Sequence, residues 1–175
     1  MIFLSTGTLN TLGIARIFAL AAEAGFDGIE MMIDARLDTR DAAYIRRLSA
    51  EHGLPVPVLH SPFLPDVSGW PTDQLGRLQY TLALAQELGA RFVVSHLPYR
   101  LYPMTFTWGG PKPWRFSAPV PRQWRGPYYD LLRDGGLASL EAETGVTIGI
   151  ENMPARRFLR RTFDLYWFNG ADELR

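Results

Sequence analysis

Four times in this chain a glutamate, one further residue and a glycine stand before a short run suited to a β-strand: Glu23-Ala24-Gly25, Glu51-His52-Gly53, Glu87-Leu88-Gly89 and Glu143-Thr144-Gly145. No other feature constrains the fold as much. A glycine just past a helix accepts the left-handed conformation that closes the last turn. The β-branched residues that follow favour extended chain. Strands are therefore expected at 28–33, 56–60, 91–96 and 147–151, and the segment 2–5 in front makes five.

Upstream of each glycine lies a stretch long enough for an amphipathic helix. The third is the clearest, with Leu75, Leu78, Leu82, Ala85 and Gly89 at helical spacing and one side expected to be buried. The first helix, about 11–24, offers Ile14, Ile17, Phe18 and Ala21 to a core, and the second, about 40–52, offers Ala42, Ile45 and Leu48. The fourth, 128–144, contains Gly135-Gly136, each glycine costing about 1 kcal/mol against alanine, and is expected to break into two pieces. Strands that alternate with helices through short turns imply right-handed crossovers and a parallel sheet, either a barrel or an open doubly wound sheet.

The 175 residues, 47% of them hydrophobic, suffice for one globular domain, and 1–175 is read as a single unit. Its 18 basic and 18 acidic side chains cancel, which argues against binding polyanions by bulk charge. The absence of cysteine excludes disulfide frameworks and thiolate metal sites, leaving His and carboxylates as candidate ligands; a cytoplasmic location fits best. The N-terminus has no basic leader region, and Asn10, Arg16 and Glu23 interrupt its apolar stretches, so no signal peptide is expected. No apolar run reaches the roughly 20 residues of a membrane span.

In parallel α/β folds chemistry gathers at the strand ends, where the βα loops converge. Here those ends are Glu30, His60, His96 and Glu151, lying 5, 7, 7 and 6 positions past the glycines of the repeated phrase. Two of the three histidines thus hold equivalent places. Neutral imidazoles and a carboxylate on one rim supply nitrogen and oxygen ligands for a divalent ion such as zinc, manganese, magnesium or cobalt. Strand alternation puts Val58 with His60, Val94 with His96 and Gly149 with Glu151, small residues beneath polar ones on the inner side. The metal ligands expected are His60, His96 and Glu151. Glu151 and Glu30 are the candidate catalytic carboxylates, Glu30 equally well serving behind the ligands or as a rim residue. His52, at a helix end before Gly53, receives only a structural role.

The phrases Gly25-Phe26-Asp27-Gly28-Ile29-Glu30, Leu59-His60-Ser61-Pro62-Phe63, Val93-Val94-Ser95-His96-Leu97 and Ile148-Gly149-Ile150-Glu151-Asn152-Met153 resemble, in family order, the sugar phosphate isomerase/epimerase family. Its barrel is of the xylose isomerase-like TIM type, shared with the apurinic endonuclease family 2 proteins. The resemblance implies an incomplete (β/α) TIM-barrel fold of about five parallel strands with intervening helices. It also implies that Glu151, on the fifth strand, is a metal ligand, and that His60 and His96, on the third and fourth, ligate metal or face substrate. The family's further ligands, an Asp on the sixth strand, a His on the seventh and a Glu on the eighth, have no counterpart. Asp172-Glu173-Leu174 reads as the opening turn of the next helix, so the chain is expected to be the N-terminal part of a longer barrel. Open sheet edges then offer a route to self-association.

Residues 97–127 form a long insertion after the fourth strand, read as a loop: no acidic side chain, five basic ones (Arg100, Lys112, Arg115, Arg122, Arg125), seven prolines, and Trp108, Trp114 and Trp124. Loops beyond about 12–15 residues are usually lids or binding segments. Trp108, Trp114 and Arg115 are the substrate contacts expected from it, joined by Arg156 and Arg157 from a second basic cluster that includes Arg160 and Arg161. The function expected is metal-dependent sugar or sugar-phosphate isomerisation or epimerisation. A zinc-dependent endonuclease for abasic DNA is the alternative, and an inactive fragment a third reading.

Overall fold

A computed structural model of the chain describes residues 1–63, 67–109, 114–121, 126–153, 156–158, 161–163 and 165–168. The chain divides into two compact units, Met1–Ser95 with Gly135–Ile150 and His96–Asp134 with Glu151–Arg175.

In the first unit β1 (Phe3–Ser5), β2 (Gly28–Met32), β3 (Val58–His60) and β4 (Phe92–His96) pair in parallel, one beside the next. A later strand, Thr147–Glu151, extends the same sheet beyond β4 to five strands. The connections are α1 (Ile14–Glu23), α2 (Ala42–His52) and α3 (Gln74–Leu88). These are the strands and helices expected from the repeated phrase, each within a few residues. All four of its glycines take left-handed backbone, with φ of 76° at Gly25, 66° at Gly53, 70° at Gly89 and 69° at Gly145.

A Cβ added at Gly89 meets nothing within 4 Å, so a side chain there is opposed by backbone conformation alone. Gly89→Ala is expected to lower stability by about 1–2 kcal/mol without altering packing. Urea denaturation checks this; an unchanged midpoint would show that the left-handed turn is not needed.

The helix stripes are buried as their spacing predicts. Ile14, Ile17, Phe18 and Ala21 of α1 have no solvent exposure, and Ala42, Ile45 and Leu48 of α2 are buried. On α3 the buried face is wider than the expected one side: Arg77, Thr81 and Leu84 join Leu78, Leu82 and Ala85, while Leu75 stays half-buried. α1 packs on β2 and α3 on β3, and Ile29, Met31, Leu59 and Val93 of the strands are fully buried. The alternate strand residues are more open, with Val58 and Val94 half-buried and Gly149 exposed, although His60 and His96 beyond them are buried.

Helix starts are fixed by carboxylates. Asp41 and Asp73 accept from Tyr44 N and Gly76 N as N-caps of α2 and α3. α1 begins after Gly13, which has no side chain to cap it, and Asp38 from the next βα connection accepts from Ile14 N at 3.0 Å instead.

In the second unit, the segment 97–127 contains an antiparallel hairpin, β5 (Leu101–Trp108) with β6 (Trp114–Pro121). Its register pairs Phe106 with Phe116 and Trp108 with Trp114, so their side chains share one face. Pro103 lies opposite Pro119 in that register. A two-stranded ribbon tolerates this because each strand is an edge, and a proline whose missing N–H would point outward removes no ladder bond. Next comes α4 (Gly126–Arg133), and after Gly135 at φ 72° the chain resumes in α5 (Gly136–Thr144) of the first unit, the two pieces expected from the glycine pair. The strand Thr147–Glu151 is β7, and a short second hairpin joins β8 (Arg156–Phe158) to β9 (Arg161–Phe163). Tyr99 bridges antiparallel to Tyr166, and the two rings stack at 4.7 Å. No helix among the described residues is long and apolar enough to cross a membrane.

Candidate functional site

Parallel pairing sets Ser5 opposite Glu30 and Glu30 opposite Val58, two residues before His60. Side chains alternate along a strand, so Ser5, Glu30 and His60 emerge on one face of three adjacent strands. Glu30 Oε1 lies 2.9 Å from His60 Nδ1 and accepts from Ser5 Oγ at 3.3 Å. The hydrogen bond from His60 holds the Glu30 carboxyl below the usual range; partial burial opposes this, and the His60 charge and Ser5 reinforce it. An ionised carboxylate only accepts, so the proton of this hydrogen bond sits on His60 Nδ1.

The backbone around His60 is fixed as well. Its carbonyl accepts from Ile33 N at 3.0 Å, and Ser61 N donates to Val94 O at 2.8 Å. Buried Arg77 ties down the connection that follows, donating from Nε to Pro62 O at 3.2 Å and from Nη1 to Thr72 O.

In the second unit His96 and Glu151 are the last residues of β4 and β7. Tyr128 OH donates to the His96 carbonyl at 3.0 Å. His96 Nε2 and Glu151 Oε2 are 3.4 Å apart, with the imidazole 8% exposed and the carboxylate 46%. Charge-assisted hydrogen bonds of this kind run about 2.7–2.9 Å. Two ligands each about 2.0–2.1 Å from a tetrahedral zinc ion stand roughly 3.4 Å apart. The pair therefore has the spacing of two donors to one small cation, and its chemistry, imidazole with carboxylate, fits such an ion.

Of the residues singled out from sequence, Glu30 meets His60 and His96 meets Glu151. Trp108 and Trp114 face each other across the hairpin at 85% and 84% exposure, and Arg115 is exposed opposite Thr107. Arg156 and Arg157 begin β8, but their side chains lie outside the described residues, as do Trp124, Arg160 and 172–174. His52 ends α2 with its ring 6.2 Å from that of Phe18, a structural place. Sequence reasoning missed Ser5, Arg77 and Tyr128. Ser5 was within reach of it, as the last residue of a strand in register with Glu30. Nothing local marks Arg77 or Tyr128.

Residues 18–167 match the model of a family described as xylose isomerase-like TIM barrel. The chain belongs to that family. An uncharacterized protein of Mycobacterium leprae (strain TN) is 29% identical over 173 residues, covering 98% of this chain and 51% of the relative. The chain thus spans about half the length of the curated relatives it matches. A xylose isomerase domain protein from Alicyclobacillus acidocaldarius superposes over 99% of this chain and 56% of its own, at 16% identity and a TM-score of 0.54, a likeness of fold. A 3-keto-D-glucoside 4-epimerase from E. coli overlaps 83% of this chain and 52% of its own at 20% identity and a TM-score of 0.49. In a xylose isomerase-like barrel the C-terminal strand ends form the catalytic face. His60, His96 and Glu151 are all last residues of parallel strands in this chain.

Proposed function

We propose that this chain carries part of the metal site of a sugar or sugar-phosphate isomerase or epimerase, with His60, His96 and Glu151 as donors to one divalent ion. The observation that carries the reading is the 3.4 Å separation of His96 Nε2 and Glu151 Oε2, a ligand-to-ligand spacing. Two further features support it. β3, β4 and β7, which end in the three donors, are consecutive neighbours in the sheet. His60 Nδ1 meets the Glu30 carboxylate at 2.9 Å, the kind of contact that a metal-ligating imidazole usually makes through its other nitrogen.

When bound, such an ion polarises a carbonyl and its neighbouring hydroxyl, making the hydrogen on the adjacent carbon acidic. The chain's own residues orient and hold. Buried His60 and His96 present nitrogen from fixed backbone. Glu151, nearly half exposed, is the carboxylate a substrate can approach, and with Oε2 given to the ion, Oε1 would be the oxygen that exchanges a proton. Trp108, Trp114 and Arg115 belong to the substrate side in this reading: indole faces for the apolar face of a sugar ring, a guanidinium for a phosphate.

The test is zinc, manganese and cobalt uptake by the purified chain, measured by titration calorimetry, followed by isomerase and epimerase assays on ketoses, aldoses and their phosphates. One ion per chain with sugar turnover is expected. No uptake of any of the three ions would sink the metal reading, and cleavage of an abasic duplex without sugar turnover would replace the substrate class.

A further inference from the structure

Glu30 occupies a costly position for a carboxylate. Its side chain is only 28% exposed, and His60 Nδ1 at 2.9 Å and Ser5 Oγ at 3.3 Å both reach the same oxygen, Oε1. A neutral side chain would fill this place with less desolvation. What a neutral amide lacks is one-sidedness. Glutamine can accept from an imidazole N–H or donate to a bare ring nitrogen, so it leaves the tautomer of its partner open. A carboxylate only accepts, so it permits one neutral tautomer, with the proton on Nδ1.

The strand register shows that this contact is built in. Ser5 of β1 pairs opposite Glu30 of β2, and Glu30 precedes by two residues Met32, the partner of His60 in β3. Three side chains on one sheet face thus form a line across three strands, hydroxyl to carboxylate to imidazole. Ser5 fixes which carboxylate oxygen points along the line, and the backbone bonds at Ile33, Ser61 and Val94 fix the strand that carries the ring.

We infer that Glu30, braced by Ser5, is a positioning residue: it holds His60 as the Nδ1–H tautomer and fixes the orientation of its ring. This rests on the reading of His60 as a metal donor and adds to it a residue that touches neither metal nor substrate. Both contacts fall on one oxygen of Glu30, Oε1, and both come from its own unit.

Tautomer and metal affinity are measured separately. With the histidines labelled by ¹⁵N and the three rings assigned through single His→Gln variants, long-range proton–nitrogen spectra of the metal-free chain report which nitrogen of His60 carries the proton. The Nδ1–H form is expected in the unmodified chain; finding Nε2–H there overturns the inference without recourse to any variant. Glu30→Gln is expected to give a mixture of tautomers and to weaken zinc binding by about 10–100-fold, the usual effect of losing the partner of a ligating histidine. Ser5→Ala is expected to keep the tautomer and weaken zinc by a few-fold. An unchanged His60 tautomer in Glu30→Gln, with zinc affinity within twofold, also overturns it. If the unmodified chain takes up no metal while the tautomer responds to Glu30→Gln, the metal reading fails and the positioning of His60 stands.

Discussion

Glu151→Ala is expected to abolish measurable zinc binding while leaving the fold intact. Changing a partner of a ligand costs about 10–100-fold in metal affinity, so deleting a ligand costs more than about 100-fold. Glu151 is the last residue of β7, with a side chain nearly half exposed. Its removal creates no cavity, and surface changes of this kind stay within about 0.5 kcal/mol in stability. His96→Ala is expected to lose zinc equally but also to destabilise, because the ring is buried. Chelator-competition titration gives the affinities and urea denaturation the stabilities. Zinc bound by Glu151→Ala with the affinity of the unmodified chain would remove Glu151 from the ligand set.

Phe18→Ala is expected to cost the most stability, about 3–5 kcal/mol. Phe18 has no solvent exposure, lies among Ile14, Ile17 and Ala21 on the packed face of α1, and carries the His52 ring against it. Alanine there leaves a cavity on the buried face of α1, which packs on α2 and β2. Against the total of about 5–15 kcal/mol typical of a domain, the loss brings the chain close to unfolding. The urea midpoint should fall sharply with the slope unchanged. A shift worth less than about 1 kcal/mol would mean that α1 is not part of the core.

Much of the fold was readable in advance because it rests on local rules. A helix that closes on glycine, followed by β-branched residues, needs no distant partner to be recognised. Apolar residues at helical spacing predicted the buried faces of α1 and α2 residue by residue, since a core-facing helix has few other places for Ile and Phe. The break near Gly135 followed from the cost of two adjacent glycines in a helix. Two features resisted. Arg77 is buried on α3 because two backbone carbonyls of the preceding loop accept from it, and spacing does not announce such partners. The hairpin in 97–127 was obscured by prolines that argue against strands, a rule that weakens where both strands are edges.

The candidate site divides along the same line. That His60, His96 and Glu151 end their strands was legible in the sequence, because their distances from the helix-closing glycines are nearly equal, whereas Glu30, expected at a strand end as well, lies in the middle of β2, which runs on to Met32. Which of them meet was decided only by the tertiary structure. Pairing register between strands depends on how the helices seat the sheet, and a shift of one residue sends every side chain to the opposite face. That register, set by contacts distant in sequence, brought Glu30 to His60 and made a suspected catalytic carboxylate the partner of an imidazole.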